Sequence, residues 1–333
     1  MLDLPLIWSG IIAFSVFMYV LLDGFDLGVG ILFPFAHNRA ERDVMMNSIA
    51  PIWDGNETWL VLGGGGMLAA FPPAYATLLP ALYLPLMVML FGLIFRGVAF
   101  EFRHSTGTRV WWWDLAFAGG SVVATVAQGI VLGSFITGFD YRDGQVAGGS
   151  FLWLTPFNLM VGICLFGGYA LLGATWLVMK TKGIVQERSY SQAFTLPILV
   201  AVGMGLISAS TPLTHPDVAA RWFAWPNFFL LLPVPLVTIG VWVALLRSIG
   251  DRHETRPFLL SMAMFALGYL GLGVSMWPYL VPRHLTIWES AAPPTSQAFL
   301  LVGVVILIPV ILSYTAYSYW VFRGKVAGTE GYH

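Results

Sequence analysis

Two carboxylates three residues apart, Asp23 and Asp26 in "LLDGFDLGVG" (21–30), lie inside an apolar run long enough to cross a bilayer. By insertion scales an ionised carboxyl at the bilayer centre costs roughly 3 kcal/mol. Something must offset that cost. A second pair with the same spacing, Asp54 and Glu57, opens the next apolar run in "APIWDGNETWL" (50–60). Residues i and i+3 are neighbours on one helix face. Two antiparallel helices would therefore set four carboxyls in a ladder from the cytoplasmic side towards the midplane. Asp26 would lie about 16 Å deep, at 1.5 Å per residue. Arg96, in "LIFRGVAFEFR" (93–103), sits several residues inside an apolar boundary and is the counter-charge expected for the ladder. Buried carboxyl chains of this kind serve proton relays. The alternative is a buried ion pair that fixes helix positions. One arginine balances one acid, which leaves the remaining carboxyls to be explained.

The elements that must hold these residues are membrane helices. The chain has 333 residues, of which 58% are hydrophobic and only 10% charged, against about 25% charged in a soluble protein. It reads as a single all-α, polytopic integral-membrane domain with short loops over 1–333. Nine spans are expected, at roughly 7–36, 48–71, 74–100, 111–138, 151–179, 192–212, 223–246, 257–280 and 297–322. The second is the weakest because of its polar opening. The first lacks a basic leader and a small-residue cleavage site, so it reads as a retained helix. Pro72-Pro73 marks a tight turn, and "APPTS" (292–296) breaks the chain before the last span. Of the 16 Lys and Arg residues, 13 fall on the side that follows spans 1, 3, 5 and 7, together with the C-terminal tail. The positive-inside rule then puts the N-terminus outside and the C-terminus in the cytoplasm.

Other residue types narrow the chemistry. A formal charge of −1 gives no basic surface for nucleic acid. The single cysteine, Cys164, excludes an internal disulfide or a multi-cysteine metal site. All six histidines fall in loops, at span edges or at the terminus, so paired histidine ligands for a haem inside the helices are missing. Aromatic clusters such as "WWW" (111–113) read as interfacial anchors. The glycines of "GGGG" (63–66) and "GGYALLG" (167–173) read as close helix packing. Asp114 reads as an exposed acid at a helix start. Gln128, Asn158 and Glu289 have no partner visible from spacing.

The runs "LLDGFDLGVGILFPF" (21–35), "RDVMMNSIAPIWDGNETWLVLGGGGMLAAFPPAYA" (42–76) and "GLIFRGVAFEFR" (92–103) resemble subunit II of cytochrome bd-type quinol oxidases. The wording is most similar to the cyanide-insensitive branch. The resemblance implies a complex in the bacterial cytoplasmic (inner) membrane that oxidises quinol and reduces dioxygen to water. It implies a haem-bearing subunit I as partner and no haem ligated by this chain. It leaves room for small single-helix subunits and for a structural quinone or lipid. By the same resemblance Asp54 belongs to a cytoplasmic proton path, and the DGFD acids and the FRGVAFEFR arginine correspond to Asp23, Asp26 and Arg96. The competing class is a secondary transporter, whose sites also use interrupted helices near the midplane. Against it, the acids cluster in the first two spans, and "FTLPILVAVGMG" (194–205) has no matching carboxyl.

Overall fold

A computed structural model describes residues 2–103, 110–142 and 145–326. Within them the chain is helical apart from two short hairpins. Helix α1 (Leu4–Leu32) ends in a 3-10 turn at Phe33–Phe35 and is followed by the short α2 (Arg39–Asn47). Next come α3 (Trp53–Ala70), α4 (Pro72–Phe102) and α5 (Val110–Thr137). A hairpin of β1 (Tyr141–Arg142) and β2 (Gln145–Val146) leads to α6 (Pro156–Lys180) and α7 (Gly183–Thr214). The short α8 (Pro216–Phe223) and α9 (Asn227–Leu231) precede α10 (Pro233–Gly250) and α11 (Arg256–Met276). A second antiparallel hairpin, β3 (Tyr279–Val281) with β4 (Leu285–Thr286), connects to α12 (Pro294–Val321).

Among the described residues eight helical segments are long and apolar enough to cross a membrane, against nine expected. The difference is α3. It has 18 residues, about 27 Å at 1.5 Å per residue, and its first turns carry Asp54, Asn56 and Glu57. Residues 48–52, expected inside that span, form turns. Only Phe71 separates α3 from α4, whose first position is Pro72; proline suits a helix start because its missing N–H would be unpaired there anyway. The sixth span begins nine residues earlier than expected, at Gly183, because Glu187 and Arg188 find partners in Arg252 and Glu41.

Helix α1 is the axis of the bundle. Every residue from Leu21 to Phe33 is buried, because α3, α5 and α6 pack around that half of it. Its neighbours can come so close because the crossing points are glycines. Gly28 of α1 meets Gly173 of α6 backbone to backbone, and Gly92 of α4 meets Gly120 of α5 in the same way. Gly63 and Gly66 of the four-glycine run face Val16 and Ile12 of α1, whereas Gly64 and Gly65 face open space. By contrast α12 is peripheral, with Gln297 its one buried residue. Gln297 donates to the Ala70 carbonyl at 3.0 Å and its own carbonyl accepts from the Trp8 indole at 3.1 Å.

At one end of the bundle, α2 is tied down by charge. Asn38 caps it by accepting from the Glu41 N–H at 2.9 Å, and Glu41 reaches back to the N–H of His37, the residue before the cap, at 2.9 Å. Arg188 of α7 donates to the same Glu41 carboxylate. That hydrogen bond, aided by the one from His37, holds the Glu41 carboxyl below its ordinary value of 4.5. A depressed folded value means that Glu41 stabilises the fold above the ordinary glutamate range, and that this contribution disappears as pH falls through the lowered value. Glu41→Gln should therefore lower the melting temperature at neutral pH, and the gap from wild type should close under acid conditions. A gap that is constant from neutral to acid pH would rule out this linkage.

The expected exposed acid, Asp114, is instead largely buried. It accepts from Arg42 Nη1 at 2.7 Å and from Arg103 Nε at 2.6 Å, while Arg103 also pairs with Asp43. Arg103 is itself 1% exposed, so its charge needs both carboxylates. This network joins α2, α5 and the end of α4.

Candidate functional site

The acids of α1 meet the arginine of α4 in the buried half of the bundle. Arg96 Nη1 donates to Asp23 Oδ1 at 2.6 Å, and neither side chain is exposed at all. Arg96 Nη2 lies 3.7 Å from Glu57 Oε2, whose side chain is 26% exposed. Asp26 is also fully buried and accepts from Asn56 Nδ2 at 2.7 Å. The other end of the Asn56 amide, Oδ1, accepts from the Tyr319 hydroxyl of α12 at 2.9 Å. Trp53 roofs the cluster: its ring centre is 5.7 Å from the Arg96 guanidinium, and it stacks on Phe100 at 4.7 Å.

Of the four acids, three gather around Arg96. Asp54 is exposed and makes no hydrogen bond or ion pair with the cluster. Inside the cluster, Asp23 Oδ2, Asp26 Oδ1 and Arg96 Nε have no hydrogen-bond partner among the described residues.

Three polar residues were invisible to spacing as parts of a network. Gln128 of α5 donates to the Tyr19 hydroxyl at 2.7 Å and accepts from the Tyr169 hydroxyl at 2.9 Å. Tyr19 stands one helical turn from Asp23 on α1, and the Tyr169 ring lies against Gly24. The buried polar region thus extends from the acids towards the other half of α1. Asn158 donates to Ser134 Oγ at 2.9 Å, holding α6 to α5. Glu289 accepts from the Thr286 N–H and hydroxyl, a local loop clasp. The one sequence signal for the tyrosine–glutamine group was the four-residue step from Tyr19 to Asp23.

Among the described residues no group of three His, Cys, Asp or Glu side chains is arranged to hold a metal ion. His37, His215, His253 and His284 lie in connections between the membrane helices, which does not fit histidine ligation of a haem within the bundle. His104 and His333 lie outside the described residues.

Comparison with known proteins gives a consistent answer. The chain is similar to cytochrome bd-I ubiquinol oxidase subunit 2 of Escherichia coli strain K12, with 30% identity over 97% of this chain and 95% of that protein. It is 27% identical to cytochrome bd ubiquinol oxidase subunit 2 of Bacillus subtilis strain 168, over 97% of both chains. Its fold matches a chain in the structure of bd oxidase from Geobacillus thermodenitrificans with a TM-score of 0.81, at 18% identity, covering 96% of this chain and 99% of that one. The family model for cytochrome bd terminal oxidase subunit II matches residues 4–322. A multi-pass membrane protein that carries these motifs and this fold over nearly its whole length, the chain belongs to the cytochrome bd terminal oxidase subunit II family.

Proposed function

We propose that this chain is the haem-free subunit II of a quinol oxidase, a single integral-membrane domain held against a haem-bearing partner in a bacterial cytoplasmic membrane. The 13 to 3 distribution of basic residues supports an N-terminus outside and a C-terminus in the cytoplasm. The curated relatives are named as ubiquinol oxidase subunits, which supports quinol as the reductant of the complex. The motif wording of the first hundred residues favours the cyanide-insensitive branch. Haem bound by the partner supplies the chemistry of dioxygen reduction. This chain scaffolds that partner and supplies part of the cytoplasmic path by which protons reach it.

One observation supports the proton-path role: three carboxyls share a single guanidinium, Asp23 and Glu57 beside it and Asp26 within its electrostatic reach while bonded to Asn56. With all four groups ionised the cluster would carry a charge of −2 in a low-dielectric setting. It is electrically balanced only when two of the carboxyls hold protons. A cluster with more carboxyls than cations, open hydrogen-bonding capacity and a partly exposed edge at Glu57 is suited to passing protons. The sequence of exposure gives a direction: Asp54 at the surface, Glu57 at the edge, then Asp23 and Asp26 inside.

The test uses assembled oxidase purified through a tag on this chain. Haem bands and a second large subunit in stoichiometric yield are expected; a colourless single-chain preparation would remove the oxidase reading. In the complex, Asp26→Asn and Glu57→Gln should lower turnover about tenfold or more, equal to at least about 1.4 kcal/mol in barrier. Asp54→Asn should slow turnover less, because Asp54 lies at the surface of this chain and outside the Arg96 cluster. Haem content should remain near wild type in all three. Loss of assembly with unchanged turnover per haem would instead assign these carboxyls to ion pairing alone.

A further inference from the structure

Helix α12 makes little apolar contact with the bundle, yet its last turns are fixed by polar bonds. Lys180, at the end of α6, donates to the Phe322 carbonyl and to the Gly324 carbonyl at 2.8 Å. The Val326 N–H returns a hydrogen bond to the Lys180 carbonyl at 2.8 Å, and Lys325 pairs with Glu254 at 2.5 Å. Capping of terminal carbonyls by a lysine also suits the negative end of a helix. Tyr319 therefore sits in the pinned turn of an otherwise loosely packed helix, its ring edge-on to Trp176 of α6 with centroids 6.3 Å apart.

From that position its hydroxyl enters the acid cluster. An asparagine side chain has a donor end and an acceptor end. The Tyr319 hydroxyl donates to the acceptor end of Asn56, which commits the donor end to Asp26 at 2.7 Å and to the Leu22 carbonyl at 3.4 Å. Asn56 is 1% exposed, so a lost hydroxyl is not replaced by bulk solvent. Asp26 Oδ1 has no hydrogen-bond partner among the described residues, which leaves the Asn56 amide as the group that orients this carboxyl.

We infer that Tyr319 is a positioning residue for Asp26, acting through Asn56: the end of the last helix sets which face of the amide, and so which hydrogen bond, the buried carboxyl meets. Removal of the hydroxyl leaves the amide held on its donor side alone, by Asp26 and the Leu22 carbonyl, so the amide loosens and the carboxyl loses its fixed orientation beside Asp23 and Arg96. The inference rests on the proton-path reading of Asp26.

The experiment is a double-mutant cycle in the assembled oxidase with Tyr319→Phe, Asn56→Ala and their combination, and with Asp26→Asn measured alongside. Tyr319→Phe keeps the ring against Trp176 and removes only the hydroxyl. Loss of one net hydrogen bond corresponds to about threefold to tenfold in turnover. That fall in kcat is expected with unchanged KM for quinol and unchanged haem content. In the Asn56→Ala background, Tyr319→Phe should have no further effect. Wild-type kcat in Tyr319→Phe, an additive double variant, or a fall explained by lost haem would each overturn the positioning role. Full turnover in Asp26→Asn would overturn the proton-path reading itself. A slow Asp26→Asn beside a fast Tyr319→Phe would overturn the positioning role alone.

Discussion

Arg96→Leu should all but abolish the assembled protein. The guanidinium is fully buried, donates to Asp23 at 2.6 Å and stands 3.7 Å from Glu57, with Asp26 in the same pocket. Its removal leaves three carboxyls without a cation. Breaking one buried pair by deleting a partner costs about 3–5 kcal/mol, because the remaining charge stays buried and uncompensated. That is a large share of the roughly 5–15 kcal/mol by which a typical domain is stable. Membrane yield and melting temperature in mild detergent are the measurements. Arg96→Lys should recover part of the loss, since it returns the charge but lacks the second guanidinium nitrogen that faces Glu57. Arg96→Leu combined with Asp23→Leu should also recover part, because it removes a charge of each sign and fills the space with carbon. Yield and melting temperature equal to wild type in Arg96→Leu would mean that the acids are held by something other than this pair.

What the residues alone made legible followed from depth and sign. Arg96 stood out as the one cation well inside an apolar run, and carboxyls on two adjacent antiparallel spans had few other places to find a counter-charge. The structure sets Asp23 and Glu57 beside it and Asp26 within its electrostatic reach. By spacing Asp54 belongs to the same ladder, since it shares a face with Glu57, but a shared face is not a shared direction. The buried residues Asn56, Trp59 and Gly63 define the inward side of α3. Nine residues separate Asp54 from Gly63, about two and a half turns at 3.6 residues per turn, so Asp54 points the opposite way. That argument was available from spacing once the inward side was known. The role of Tyr319 was not, because 263 residues separate it from Asn56 and no local pattern links them. The pairing of Asp114 is hidden for a related reason: its partners Arg42 and Arg103 belong to other helices, and a helix-start acid looks the same in sequence whether water or an arginine faces it. Of the nine expected spans, α3 is the one that falls short by length and apolar composition, because its polar opening dilutes an 18-residue helix more than a 30-residue one; it still runs beside α1 and leads directly into α4.

Gly28→Ala should be as damaging as a change of one methyl group can be. A Cβ built on Gly28 would lie 1.9 Å from the Tyr169 carbonyl oxygen and 2.7 Å from the Gly173 nitrogen, both backbone atoms that cannot rotate away. Non-bonded atoms settle at about 3.5–4.0 Å, so α1 and α6 would have to part by more than an ångström along their crossing. Overpacking of this kind costs about 1–3 kcal/mol and sometimes more. The displacement also reaches the chemistry, since Asp26 is two residues away on the helix that moves and the Arg96–Asp23 bond has little slack at 2.6 Å. Gly28→Ala should therefore lower both the melting temperature and the turnover of the complex that still assembles. Gly10→Ala is the internal control: it lies on the same helix with nothing within 4 Å of its Cβ. There the change should be neutral or slightly stabilising, since alanine is favoured over glycine in a helix by about 1 kcal/mol. Equal stability and turnover in the two variants would mean that the α1–α6 crossing is looser than its backbone contacts require, and that the acids do not depend on it for their position.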